Sequence, residues 1–149
     1  MRRTSLKAAT CPVARSLDVI GDWWSLLIVR DAFRGLRRFG EFQKSLGLAK
    51  NILTVRLRGL VGDGILEVIP AADGSAWQDY VLTDKGRDLM PVLVALRLWG
   101  IAYFPDGGPW GSELVERETG LPVKGMTILG NDGQPVALQD LEFRSRTPS

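Results

Sequence analysis

Histidine is absent from the 149 residues, and cysteine occurs once, at Cys11. Without histidine the chain has no Ser-His-Asp or Cys-His arrangement to generate a nucleophile, and it lacks the commonest metal ligand. One thiol can make neither an internal disulfide nor a thiolate metal cage. No pair of acids stands out from scattered surface charge, so the chain reads as a non-enzyme, with no cofactor and no metal expected. Long apolar runs are missing as well. Nothing approaches the roughly 18 residues of a membrane span, and the nearest run, WWSLLIV at 23–29, is closed off by Asp22 on one side and Arg30 and Asp31 on the other. The segment MRRTSLKAAT is basic but has no hydrophobic signal core. A cytoplasmic location without membrane association is expected.

The charge that is present is unevenly placed. Residues 1–58 hold twelve Lys or Arg against four acids, a net of +8, whereas residues 59–149 hold seven against thirteen, a net of −6. A basic half of this size is either a solvated surface or the electrostatic footprint of a polyanion, and total charge understates it.

Patterning decides between those two. After a basic arm, Pro12 suits the first turn of a helix, where its missing N–H costs nothing. Val13, Leu17 and Ile20 then recur at helical spacing up to Gly21. Trp23 to Phe33 reads as a buried helix stopped near Gly35. Phe39, Phe42 and Leu46 mark the inward stripe of the next helix, and Gly47 makes a turn. The helix that follows, at about 50–61, can be oriented by its period of about 100° per residue. Leu53, Leu57 and Leu60 share one face. Asn51, Val55 and Arg58 lie opposite, Thr54 is on the flank, Lys50 stands at the N-terminal end and Arg56 on the other shoulder. Asn pairs well with adenine and Arg with guanine in a major groove. Two helices joined by a tight turn within a basic half-chain therefore predict a helix-turn-helix with double-stranded DNA as partner.

Gly62-Asp63-Gly64 reads as a helix stop. The strand-like segments Ile65–Ile69 and Trp77–Leu82, separated by PAADGSA, read as a wing hairpin. This wing offers no Lys or Arg and carries Asp73, so only weak phosphate contact is expected, through Ser75 or Gln78. Arg37 and Arg38, ahead of the first helix of the motif, are the better backbone anchors, joined by Lys44 and Arg56. Thr83 is the expected N-cap of a long helix to about Tyr103, with Pro91 bending it or removing one hydrogen bond near Arg87. Leu89, Leu93, Leu96, Gly100 and Tyr103 form one apolar line; Met90, Val94, Leu98 and Ile101 form another. A helix apolar on both sides needs cover on both. One side can pack on the domain core. The other, taken as Leu89, Leu93, Leu96, Gly100 and Tyr103, packs either on a second copy in a two-fold dimer or inside a monomer core. Beyond Pro105 the composition shifts through DGGPWG to a short amphipathic stretch at 112–118 and a hairpin turn at Asn131-Asp132-Gly133, ending in a loose tail of mixed charge. The expected fold class is α+β, mainly helical: a winged helix-turn-helix with a long C-terminal dimerisation helix (residues 1–105) and a small β-rich extension (106–149).

These segments resemble the HxlR family of bacterial winged-helix regulators. The resemblance runs from about Cys11 to Trp99 and is carried by CPVARSLDVIGDWWSLLIVRD, RRFGEF, NILTVRLRGLVGDGIL and YVLTDKGRDLMPVL. It implies a homodimer on an inverted-repeat operator, joined by the first and last helices of the domain, and in some members a response to reactive small molecules. Two departures stand out. Long members end in a metal-ribbon-like tail, where this chain places Glu116, Thr119, Leu129 and Asp132 while keeping Gly120 and Gly133, so no zinc is expected. The uncharged wing is the other. Cys11 matches a family cysteine that in some members senses oxidants. A thiol at a helix N-terminus, four residues before Arg15, lies in positive potential; the alternative is an unreactive small residue near the dimer seam. A second reading of the whole chain is a small-molecule receptor or interaction module with weak DNA binding, its pocket lined by Trp23, Trp24, Phe33, Trp99 and Tyr103.

Overall fold

A computed structural model of the chain describes residues 4–104 and 113–146. The expected boundary at 105/106, the DGGPWG loop and residue 112 lie outside the described residues. Two compact units are present, Met1–Leu93 and Val94–Ser149.

The first unit contains α1 (Pro12–Ile20), α2 (Trp23–Phe33), α3 (Phe39–Leu46), α4 (Lys50–Gly62), the antiparallel hairpin of β1 (Leu66–Pro70) and β2 (Gln78–Leu82), and a single-turn α5 (Asp84–Arg87). Pro12 opens α1, as its fixed φ favours. Asp22 caps α2, its carboxylate accepting from the backbone N–H groups of Trp24 (3.1 Å) and Ser25 (2.9 Å). Phe42, Leu53, Leu57, Leu60, Ile28, Val29, Ile65 and Leu66 make the core. The inward stripe assigned to α3 is seen in fully buried Phe42, with Phe39 and Leu46 packed beside it.

Two expectations need correction. Helix α2 is not buried throughout: Trp23 is 84 % exposed, because it lies on the side of the helix away from the face that buries Ser25, Ile28 and Val29. The long helix from Thr83 is two helices. Thr83 does cap α5, accepting from the Gly86 N–H (3.1 Å), but Asp88 and Leu89 form a turn and α6 runs from Met90 to Tyr103. Pro91 explains the interruption: it has no N–H for the Arg87 carbonyl and is comfortable only in the first turn of a new helix. The extension is β-rich, as expected. Residues 113–123, which take in most of the amphipathic stretch, form a tight hairpin, with a bridge between Val115 and Pro122 and backbone bonds Glu116 N–H to Leu121 O (2.9 Å) and Val123 N–H to Leu114 O (3.0 Å).

The second unit, which takes in α6 from Val94 onward, also holds the hairpin of β3 (Ile128–Leu129) and β4 (Pro135–Val136) around the expected Asn131-Asp132-Gly133 turn, and a 3-10 turn at Leu138–Asp140. Trp99 lies edge-on to Phe104 and tilted against Tyr103, centroids 5.3 and 5.7 Å apart.

Candidate nucleic-acid interface

The turn between α3 and α4 sets the geometry of the site. Gly47 sits at φ 64°, a left-handed conformation that is open to glycine and costly to residues with a Cβ. Its N–H closes α3 on the Gln43 carbonyl at 2.9 Å. The chain then extends through Ala49 and starts α4 at Lys50. Leu53, Leu57 and Leu60 are at most 1 % exposed; burying a leucine side chain contributes roughly 1.5–3 kcal/mol, so these three fix the rotation of α4 about its axis. The side opposite them is accessible. Lys50, Asn51, Val55 and Arg58 are all exposed, Val55 to 63 %. Thr54 is on the flank, its hydroxyl donating to the Lys50 carbonyl at 2.8 Å, which orients the hydroxyl without removing its acceptor capacity. Asn51, Ile52, Val55 and Arg56 line a shallow depression of about 250 Å³ on this face.

The cations placed around α4 differ in how committed they are. Lys44 is exposed on α3. Arg56 pairs with Asp22, the α2 cap, at 3.5 Å. Arg37 approaches Asp79 of β2 at 4.0 Å, and Arg38 reaches both Asp79 (Nε to Oδ1, 3.5 Å) and the wing-tip Asp73 (2.5 Å). Sequence reasoning placed Arg37, Arg38 and Arg56 as phosphate anchors but missed their acid partners. The inward register position of Asp79, opposite Ile69 in the hairpin, was available as a signal; that it meets Arg37 and Arg38, some forty residues away, was not. The wing, with Asp73 at its tip, also presents Trp77 at 68 % exposure.

The remaining site residues are distributed as follows. Cys11 is an exposed free thiol at the N-cap of α1, its carbonyl accepting from the Arg15 N–H. Of the apolar line on the last helix, Leu89 and Leu93 pack against the core of the first unit. Leu96 and Tyr103 stand 50 % and 68 % exposed, and Gly100 is half-buried. The line thus divides between two tasks. Trp24 and Phe33 likewise pack on the core, apart from exposed Trp23. The cavity found in the second unit, about 380 Å³, is lined instead by Arg97, Leu98, Ile101, Glu113, Leu114, Pro122 and Val123.

The residues of the extension do not suit a metal. The Thr119 hydroxyl donates to Glu116 (2.8 Å), Asp132 accepts from the Gln134 N–H (3.0 Å), and Leu129 has no ligating atom. Among the described residues no group of three His, Cys, Asp or Glu could hold an ion, and no helix is long and apolar enough to cross a membrane.

A helix presented behind a tight turn, a hairpin wing and a basic surface around them define a winged helix-turn-helix of the kind that regulates transcription. The comparison with known proteins agrees. The family described as HxlR-like helix-turn-helix matches residues 19–107. The chain belongs to that family, and the curated relatives it matches are described as HTH-type transcriptional regulators. It is similar to an uncharacterised HTH-type transcriptional regulator of Mycobacterium tuberculosis, 42 % identical over 93 residues, which are 62 % of this chain and 59 % of the relative's length. Among solved structures it resembles PA1607, described as a candidate transcription factor, with 57 % identity over 96 % of this chain and all of that one, at a TM-score of 0.86. It also resembles the redox regulator HypR in its oxidised form, at 33 % identity, a TM-score of 0.56 and coverage of 62 % of this chain and 96 % of that one.

Proposed function

We propose that this chain is a dimeric, sequence-specific regulator that reads an inverted-repeat operator through α4. One observation carries the reading: α4 buries Leu53, Leu57 and Leu60 and leaves Lys50, Asn51, Val55 and Arg58 accessible on its other side. Asn51 and Arg58 would face base edges, with Lys50, Thr54 and Val55 beside them at the groove floor. Lys44, Arg37, Arg38 and Arg56 would bind phosphates, Arg56 in exchange for Asp22 and Arg38 in exchange for Asp73. Support for a dimer comes from α6, which is apolar almost throughout yet contains no buried residue, and from exposed Val13 and Leu17 on α1. A second copy is the simplest cover for such a helix. Two half-sites about one helical turn apart then follow.

The deciding experiment titrates purified protein with its own upstream intergenic DNA and with random duplex over a salt series. Tight, salt-sensitive binding of one dimer to a two-fold site is expected, with random DNA bound far more weakly. Equal weak binding to both would overturn the reading. An oxidant response rests on the exposed Cys11 thiol and on the likeness to a redox regulator; its mark is loss of DNA binding on mild oxidation that disappears in Cys11→Ser. The cavity at Arg97 and Ile101 favours a second reading, a small-molecule receptor. A compound that raises the melting temperature without altering DNA affinity would favour it over the first.

A further inference from the structure

Opposite charges meet where the start of α3 adjoins the wing: Arg37 and Arg38 face Asp73 and Asp79. The Tyr80 N–H donates to the Arg37 carbonyl at 2.7 Å, so the segment entering α3 runs as an edge along β2. That bond places two guanidinium groups against a strand whose Asp79 is 5 % exposed. A buried carboxylate without compensation is costly. Asp79 Oδ1 has no hydrogen bond among the described residues, and its compensation is ionic, through Arg38 Nε at 3.5 Å and, at Oδ2, Arg37 at 4.0 Å.

Arg38 does not stop there. Its Nη2 reaches Asp73, 35 residues on, at the tip of the same hairpin. Asp73 is in turn shaped to receive it: the Ser75 N–H donates to Asp73 Oδ1 at 3.0 Å, leaving Oδ2 for the guanidinium. Arg38 is also the N-cap residue of α3, its own N–H donating to Glu41 at 3.0 Å. One side chain therefore ties the start of the helix-turn-helix to both strand β2 and the tip of the wing. Only about a third of it remains exposed.

We infer that Arg38 is a wing-positioning residue and that Asp73, by occupying it, limits the attraction of the wing side of this protein for the DNA backbone. The inference rests on the DNA-binding reading above. A phosphate that recruits Arg38 must first displace Asp73, and an undisplaced Asp73 stands near the polyanion it would repel. The wing of this chain is thereby held by charge but adds none to binding, so discrimination falls to α4. Asp73, Asp79 and Arg38 act as a unit, which separates this arrangement from a wing that merely happens to be neutral.

The test is a double-mutant cycle in the full chain: wild type, Asp73→Asn, Arg38→Gln and the pair, each titrated with a random 20-base-pair duplex from 50 to 200 mM salt. Asp73→Asn is expected to bind random DNA several-fold tighter at low salt, with a log–log salt slope steeper by about 0.9, the value for one more phosphate neutralised. Adding Arg38→Gln should abolish that gain. An Asp73→Asn gain that survives unchanged in the Arg38→Gln background would overturn the inference, because Asp73 would then act by simple repulsion; so would no gain at all. Hydrogen exchange of wing amides in the DNA-free proteins gives an independent readout. Faster exchange at residues 71–78 in both single variants is expected, and unaltered exchange would overturn the positioning role. Altered exchange with no DNA bound by any of the four proteins would instead remove the DNA reading.

Discussion

Asn51 and Arg58 sit on the accessible side of α4, while Arg38 and Arg56 are held by acids of their own chain. This division predicts different mutational signatures for residues of similar chemistry. Asn51→Ala or Arg58→Ala should lower affinity for the operator by about 1–3 kcal/mol each, with little change on random DNA. Comparison of the two DNAs in one salt series checks this; equal losses on both would remove the base-reading assignment. Arg56→Ala should cost less on DNA than loss of an unpaired cation would, because Arg56 must give up its ion pair with Asp22 before it can bind a phosphate. A purely structural residue provides the contrast. A Cβ placed on Gly86 would lie 2.2 Å from the Ile65 carbonyl oxygen, and that oxygen belongs to backbone that cannot rotate away. Gly86→Ala is expected to destabilise the fold by roughly 1–3 kcal/mol through overpacking, read as a lower denaturant midpoint at unchanged slope.

At the scale of elements, the turn at Gly47 and the wing clamp are the two features that position α4. Gly47→Val forces a β-branched residue into left-handed φ and should cost roughly 1–2 kcal/mol, together with loss of operator binding as α4 rotates or frays. The clamp has a distinct pH signature. Asp73 is lowered to about 2, first by the hydroxyl and backbone N–H of Ser75 and then by Arg38. Arg38 is raised above its ordinary value, chiefly by its hydrogen bond to Asp73. A carboxylate whose folded pKa is depressed stabilises fully above its unfolded value, here 3.8, and that stabilisation is lost as pH falls through about 2. Wing exchange should therefore be independent of clamp titration from pH 4 upward, and a carboxylate-detected titration should put the Asp73 midpoint near 2. A midpoint near 3.8 would show that Asp73 has lost its Ser75 contacts as well as Arg38 in solution. The break at Asp88 and Leu89 belongs to this scale too. It lets Leu89 and Leu93 serve the first unit's core while the rest of α6 starts afresh behind Pro91.

For the whole molecule, the question is what covers α6. A 14-residue helix reading MPVLVALRLWGIAY has no buried residue, and Leu96, Trp99 and Tyr103 are all at least half exposed. With a second copy as cover, Leu96→Glu should give a monomer in sedimentation equilibrium and weaken operator binding far more than binding to an isolated half-site. A dimer that persists unaltered would place the seam elsewhere. The distribution of charge acts at the same scale: the net of +8 in residues 1–58 includes the cations of α3 and α4, and the acids behind the net of −6 in residues 59–149 fall mainly in the wing, around α5 and in the extension, with none in α6. Some of those acids, Asp73 and Asp79 among them, are spent on arginines of the basic half. The counterion-release slope should thus be smaller than the number of arginines near α4 alone implies.

The helix-turn-helix, the rotation of α4 and the existence of the wing were legible without coordinates because each depends on interactions at short separation. The 3.6-residue period orients Leu53, Leu57 and Leu60, a glycine makes the turn, and a Pro/Asp/Gly cluster separates two strand-like runs. The hairpin within 113–123 was not legible for the converse reason: its apolar spacing is too short to fix the type of element, and the bond from the Glu116 N–H to the Leu121 carbonyl defines it. The fates of the cations could not be read at all. A basic residue before a helix looks the same whether it meets a phosphate or an aspartate 35 residues later, since partner choice depends on which loops tertiary packing brings within a few ångströms. Local chemistry decided that this chain would carry a recognition helix; packing of the hairpin against the start of α3 decided which of its charges are left to use.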